Sequence, residues 1–130
     1  MVVDTSALLA ILLGEPEAPA LASALANQPA CVISAVTELE TAIVIETRKG
    51  ADGLELLSQL LVETDIETAP MTVEQVRLAR EAYSRFGKGR HAAALNLGDC
   101  CSYALARERR DPLLFKGGDF SLTDIEVLPY

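Results

Sequence analysis

Tryptophan is absent from this chain of 130 residues, and only three Phe and three Tyr accompany the missing indoles. A core must therefore rest on Leu, Val, Ile and Ala, and with half the residues apolar a packed globule is expected rather than a disordered chain. Histidine occurs once, at His91, and no CxxC is present, so a zinc site is not expected. The three cysteines, Cys31, Cys100 and Cys101, are an odd number, and two of them are adjacent. They read as reduced, small buried residues of a cytoplasmic protein rather than as a disulfide framework. Long apolar runs are missing too. The longest charge-free stretch, Ala18 to Thr37, is interrupted by Pro19, Asn27, Gln28 and Pro29, which excludes a membrane span. Asp4 stands where a signal peptide would carry basic residues. No repeat, linker or low-complexity tract divides the chain, so residues 1–130 read as one domain.

Positive charge is also scarce. Eleven Lys and Arg face nineteen Asp and Glu, a formal net charge of −8, which argues against a general nucleic-acid binder. Acids gathered in one pocket would change that reading, because they would bind a divalent metal and reverse the local sign. Basic clusters at Arg85, Lys88, Arg90 and at Arg107, Arg109, Arg110 are hidden in the total.

What is present is a regular alternation. Met1-Val2-Val3, Cys31-Val32-Ile33, Ile66-Glu67-Thr68, Leu113-Leu114-Phe115 and Glu126-Val127-Leu128 read as five short strands. Between them fall helices over Ala7–Leu13 and Pro19–Gln28, then one from Ser34 or Thr37 to Lys49, stopped by Gly50. Capping-box patterns at Asp52-Gly-Leu-Glu55 and Thr72-Val-Glu-Gln75 open two more, to about Val62 and Phe86. The last begins near Gly98-Asp99 and ends in a basic turn at about Arg109, as the helix dipole favours. Such alternation predicts an α/β fold with a mainly parallel sheet, whose ligands bind beyond the carboxyl ends of the strands.

That rule bears on the acids. Asp4 ends the first strand; it is a candidate functional group or a helix cap, although Thr5 and Ser6 could supply the cap. Glu40 shares a helix face with Val36, Leu39, Ile43, Val44 and Thr47. On a core-facing stripe an ionised carboxylate is costly unless it is paired or metal-bound; the bland alternative is an edge Glu that reaches water or an Arg. Asp99 starts an apolar helix, where the dipole alone would favour it. Asp119 follows a strand and the Gly117-Gly118 pair, and Asp124 reads rather as a turn residue. If these carboxylates converge, they repel each other until a hard cation such as Mg²⁺ removes the penalty, and phosphodiester hydrolysis becomes a natural task.

The ordered set Val2-Val3-Asp4-Thr5-Ser6-Ala7-Leu8, Leu39-Glu40-Thr41-Ala42, Leu97-Gly98-Asp99-Cys100 and Phe115-Lys116-Gly117-Gly118-Asp119-Phe120 with Thr123-Asp124 resembles the PIN-domain toxins of the VapC family. The resemblance implies a PIN-like fold, a short, mainly parallel five-stranded sheet flanked by helices. It implies a Mg²⁺- or Mn²⁺-dependent endoribonuclease that acts as the toxin of a type II toxin–antitoxin system, a VapB-type antitoxin as inhibitor, and a homodimer. Asp4, Glu40 and Asp99 match the family's core acids, with Asp4 and Asp99 on the metal and a supporting hydroxyl at Thr5 or Ser6. The family's T-x-D acid has no counterpart at its usual spacing, and Asp119 is the nearest substitute.

Lys88, Arg90 and Lys116 are candidates for RNA phosphate contact. The nearly all-apolar helix around Leu8 to Leu13, and the Leu-rich one over Asp52–Val62, are candidates for burial or for an antitoxin groove. The alternative within the same family is a catalytically weak or inactive module that only binds a partner. A receiver or aspartyl phosphatase would want a second acid beside Asp4, where Thr5 and Ser6 stand instead.

Overall fold

The computed structural model describes residues 1–130. Four strands, β1 (Val2–Val3), β2 (Cys31–Ser34), β3 (Ile66–Ala69) and β4 (Leu113–Leu114), form one parallel sheet in the order β3-β2-β1-β4. Parallel neighbours need crossovers, and helices supply them. Helices α1 (Thr5–Leu12) and α2 (Ala18–Ala26) join β1 to β2, α3 (Ala35–Glu63) joins β2 to β3, and α4 (Val73–Phe86) and α5 (Leu97–Arg109) join β3 to β4. The chain leaves β1 toward β2 on one side while β4 arrives on the other, so the connections diverge between β1 and β4. That divergence is the switch point where α/β sheets open a crevice.

Successive strand residues face opposite sides. Val2, Val32 and Leu113 pack with Leu105 and Phe120, whereas Val3, Ile33 and Leu114 pack with Leu8 and Leu21. Both faces are covered, as the unbroken apolar strands require. Helix α1 lies among α2, α3 and the sheet with Ala7, Leu8, Ala10 and Leu12 buried, so its all-round apolar character is core burial.

The expected fifth strand is reduced to a single parallel bridge, Leu113 to Val127. Leu113 N–H donates to Glu126 O at 2.9 Å and Leu128 N–H to Leu113 O at 3.0 Å. The ladder stops there because Pro112 and Pro129 bring no amide donors. Gly50, at φ 64°, breaks α3 where the sequence predicts a stop, but the second half continues directly from the kink without a cap from Asp52. At Thr72 only half of the box forms: its hydroxyl accepts from Gln75 N–H at 3.1 Å, while the Gln75 amide reaches Glu108 at 2.7 Å.

The stripe expected to face the core on α3 does not. Thr37, Thr41 and Ile45 are buried, whereas Leu39 is 61% and Ile43 56% exposed. The buried threonines satisfy their hydroxyls inside the protein, Thr37 with Ser102 of α5 at 3.2 Å and Thr41 on the Thr37 carbonyl at 2.7 Å. The Val36, Leu39, Glu40, Ile43, Val44 side instead lines an open groove of about 440 Å³, shared with Leu97.

Asp124 ties α4 and α5 to the C-terminal segment. It accepts the Tyr103 hydroxyl at 2.6 Å, Arg85 at 3.0 Å and Arg107 at 3.4 Å. Partial burial works to raise its pKa, but the Tyr103 hydrogen bond and the two guanidinium groups prevail and hold the carboxyl below its ordinary range. Asp124→Asn is expected to cost about 1 kcal/mol at pH 7, a few degrees in Tm by thermal melting, because charge-assisted bonds at a half-exposed site are lost.

Candidate active site

Asp4 sits just past the end of β1, only 2% exposed. Its backbone N–H still reaches across to Leu114 O at 2.9 Å, which fixes the residue to β4. The Asp4 side chain is itself the α1 cap, the role that Thr5 and Ser6 could have filled: Oδ2 accepts from Ser6 N–H at 2.9 Å and from the Ser6 hydroxyl at 2.7 Å. Oδ1 accepts from the Ser102 hydroxyl on α5 at 2.7 Å. Every donor is neutral, and no Lys, Arg or His forms an ion pair with this carboxylate.

Glu40 rises from α3 toward the start of α5. Thr5 Oγ1 donates to Glu40 Oε2 at 2.7 Å. The same carboxylate lies against Gly98, where a β-carbon would fall 2.7 Å from Glu40 Cδ. Glycine is needed there so that the anion can approach the helix N-terminus, whose dipole favours it.

Asp99 is the third residue of α5 and closes a capping box with Asn96, its Oδ2 accepting from Asn96 N–H at 2.8 Å. The helix therefore opens at Leu97, earlier than the sequence suggests, because Asn96 provides the cap. Burial pushes the Asp99 carboxyl up to about 6; the Asn96 amide opposes this, while the charges of Asp4, Asp119 and Glu40 add to it. The four acids singled out in the sequence thus share one electrostatic neighbourhood. Asp119 is exposed, at the start of the 3-10 turn Phe120–Leu122, and makes no capping bond.

The basic candidates divide. Lys116 is engaged by Glu15 and, at 3.3 Å, by Glu17, while its backbone N–H donates to Ser6 Oγ at 3.0 Å. Lys88 and Arg90 are exposed in the loop after α4, with Arg90 over the Tyr83 ring at 5.4 Å. His91 packs edge-on to Phe86, and its Nδ1 accepts from Ala93 N–H at 3.1 Å. The cysteines are buried; burial raises the Cys31, Cys100 and Cys101 thiols, Cys100 to about 11, so none is poised as a nucleophile.

The donor set suits a hard cation. It is all oxygen, anionic and without a protein counter-charge. No three acidic, His or Cys side chains stand grouped closely enough to hold an ion between them. Sequence reasoning missed Ser102, Thr37 and the role of Gly98. The available signals were a serine inside the buried run Cys100–Ala106 and threonines at helical spacing on α3.

The PIN domain family profile matches residues 1–126. The chain is 50% identical to "Ribonuclease VapC" of Mycolicibacterium smegmatis over 128 residues, 98% of this chain and 99% of that one. It is 47% identical to "Ribonuclease VapC28" of Mycobacterium tuberculosis over 127 residues, 97% and 96% of the two chains. Among solved structures, VapC20 of M. tuberculosis, described as a sarcin-ricin loop cleaving toxin, superposes with a TM-score of 0.80 at 19% identity, covering 98% of this chain and 97% of that chain. VapBC2 of Rickettsia felis, bound to a promoter DNA fragment, gives 0.76 at 13%, covering 98% and 96%. These two carry the fold.

Because the Asp99 pKa is raised on folding, its contribution favours the folded state fully below about pH 4 and is lost as pH rises through about 6. In metal-free protein, Asp99→Asn should therefore raise Tm at pH 7.5 by a few degrees, on the order of 1 kcal/mol after allowing for solvent screening, and leave it nearly unchanged at pH 4. Melts at the two pH values test this.

Proposed function

The chain belongs to the PIN-domain family, among the VapC ribonucleases, and from that premise we propose that Asp4, Glu40 and Asp99, with Asp119 at the rim, are the site that cuts RNA. The protein is an endoribonuclease, the toxin of a toxin–antitoxin pair, with RNA as substrate and a VapB-type antitoxin as partner. The observation that carries the site assignment is charge. Asp4 is only 2% exposed, burial and then the charges of Asp4, Asp119 and Glu40 push the Asp99 carboxyl up to about 6, and no cation of the protein forms an ion pair with any of the four. A buried anion that has neutral hydrogen-bond donors but no counter-charge remains costly until something cationic binds.

VapC-type PIN nucleases depend on a divalent metal; we assign Mg²⁺, with Mn²⁺ as its substitute. Asp4 and Asp99 would hold the ion, and Glu40 would reach it directly or through water. When bound, the cation supplies Lewis acidity, activating water and neutralising charge on the phosphoryl oxygens. Glu40, held by Thr5, orients the attacking water and accepts its proton. Attack at phosphorus opposite the leaving group releases a 3′-hydroxyl and leaves a 5′-phosphate. Ser6 keeps Asp4 aimed, and its link to the Lys116 amide ties the loop after β4 to the same site.

Lys88 and Arg90 are the free phosphate contacts of this reading; Lys116 can serve only by leaving Glu15 and Glu17. We place residues 1–130 as one domain, acting as a homodimer in the cytoplasm. No helix is long and apolar enough to cross a membrane. The inert-module alternative is disfavoured, because a pure binding protein gains nothing from burying uncompensated acids.

Purified Asp99→Asn should cleave RNA in Mg²⁺ at least about 100-fold more slowly than the parent, whereas Asp119→Asn should lose about tenfold or less. Parent-like cleavage by the folded Asp99→Asn protein would remove the acid site from the mechanism.

A further inference from the structure

Behind Asp4 lies a chain of hydroxyls that the hydrolysis described above does not use. Ser102 Oγ is 2.7 Å from Asp4 Oδ1 and 3.2 Å from Thr37 Oγ1, and Ser102 and Thr37 are fully buried. The direction of the chain follows from chemistry. An ionised carboxylate can only accept, so the single Ser102 proton goes to Asp4, and Thr37 must donate to Ser102. The order is Thr37 Oγ1–H to Ser102 Oγ–H to Asp4 Oδ1, mirrored on the other oxygen by Lys116 N–H to Ser6 Oγ–H to Asp4 Oδ2.

We propose that Ser102, backed by Thr37, is a positioning residue that fixes the Asp4 carboxylate for metal binding and sets its placement relative to Asp99. This rests on the acid-site reading above and adds a residue to it. Three observations support it. First, a carboxylate has roughly four acceptor sites, and three on Asp4 are taken by Ser6 N–H, Ser6 Oγ–H and Ser102 Oγ–H, which leaves one direction for an ion. Second, all three donors are neutral. They orient the group without cancelling its charge, where a Lys or Arg would compete with the cation. Third, Ser102 stands one turn after Asp99 on the buried face of α5. One helical turn therefore carries one acid and grips the other, which comes from 98 residues earlier in the chain.

Partners that orient a metal-binding carboxylate usually matter about 10–100-fold in affinity or activity. The test is Mn²⁺ binding to the full chain at pH 7.5, read by electron paramagnetic resonance of the free ion, with Tm of each variant as a folding control. Ser102→Ala is expected to weaken Mn²⁺ binding about tenfold, with cleavage recovering as Mn²⁺ is raised. Thr37→Val, close to isosteric, should weaken binding by a smaller factor and add nothing in the Ser102→Ala background, because its effect passes through Ser102. Parent-like Mn²⁺ affinity in folded Ser102→Ala, with Asp4→Asn abolishing binding, overturns the positioning role alone. Undiminished binding in Asp4→Asn overturns the acid site and this role together. Additive losses from Thr37→Val and Ser102→Ala contradict the relay.

Discussion

The structure turns on one buried anion. Asp4 is removed from water, capped onto α1, pinned to β4 through its backbone and gripped by α5, yet no protein cation balances it. Hydrogen bonds from neutral donors stabilise a carboxylate, but they do not supply a counter-charge. Asp99 bears a related cost: burial first, and then the charges of Asp4, Asp119 and Glu40, raise its pKa. The fold tolerates this because two apolar layers, one on each face of a four-stranded sheet, supply the stability that the crevice gives up.

The parallel alternation, the break at Gly50 and the strand-end position of Asp4 are all legible in the sequence, because each depends on local pattern: apolar runs, a glycine stop, an acid after a strand. The number of strands is less so, since Glu126-Val127-Leu128 has strand composition but finds only one partner beside a two-residue β4. The face of α3 misleads for a related reason. Apolarity marks Leu39 and Ile43 as core, but tertiary packing buries Thr37, Thr41 and Ile45 instead. Glu40 thus belongs to an open groove, and its link to Thr5 and its approach to Gly98 replace the burial argument that singled it out.

Other parts of the site could not be read from spacing at all. Ser102 and Thr37 lie inside helices, and only their meeting in space gives them a part. Asp124 shows the converse: an acid in the same segment as Asp119, drawn away by Tyr103, Arg85 and Arg107 to hold the molecule together. The net charge of −8 is likewise no bar to an RNA substrate, because a cation held by the acids, as proposed, would reverse the sign where the phosphate must approach. Beside that crevice, Leu39, Ile43 and Leu97, the last 74% exposed, leave apolar surface next to the acids.

The central claim is that these acids await a divalent cation, and the thermal midpoint at pH 7.5 with and without Mg²⁺ tests it most directly. A ligand held at about one hundred times its Kd stabilises the folded state by about 2.7 kcal/mol. The parent should therefore gain several degrees on adding millimolar Mg²⁺, while Asp4→Asn should show no gain. An equal response of the two proteins, or none in the parent, would contradict the account.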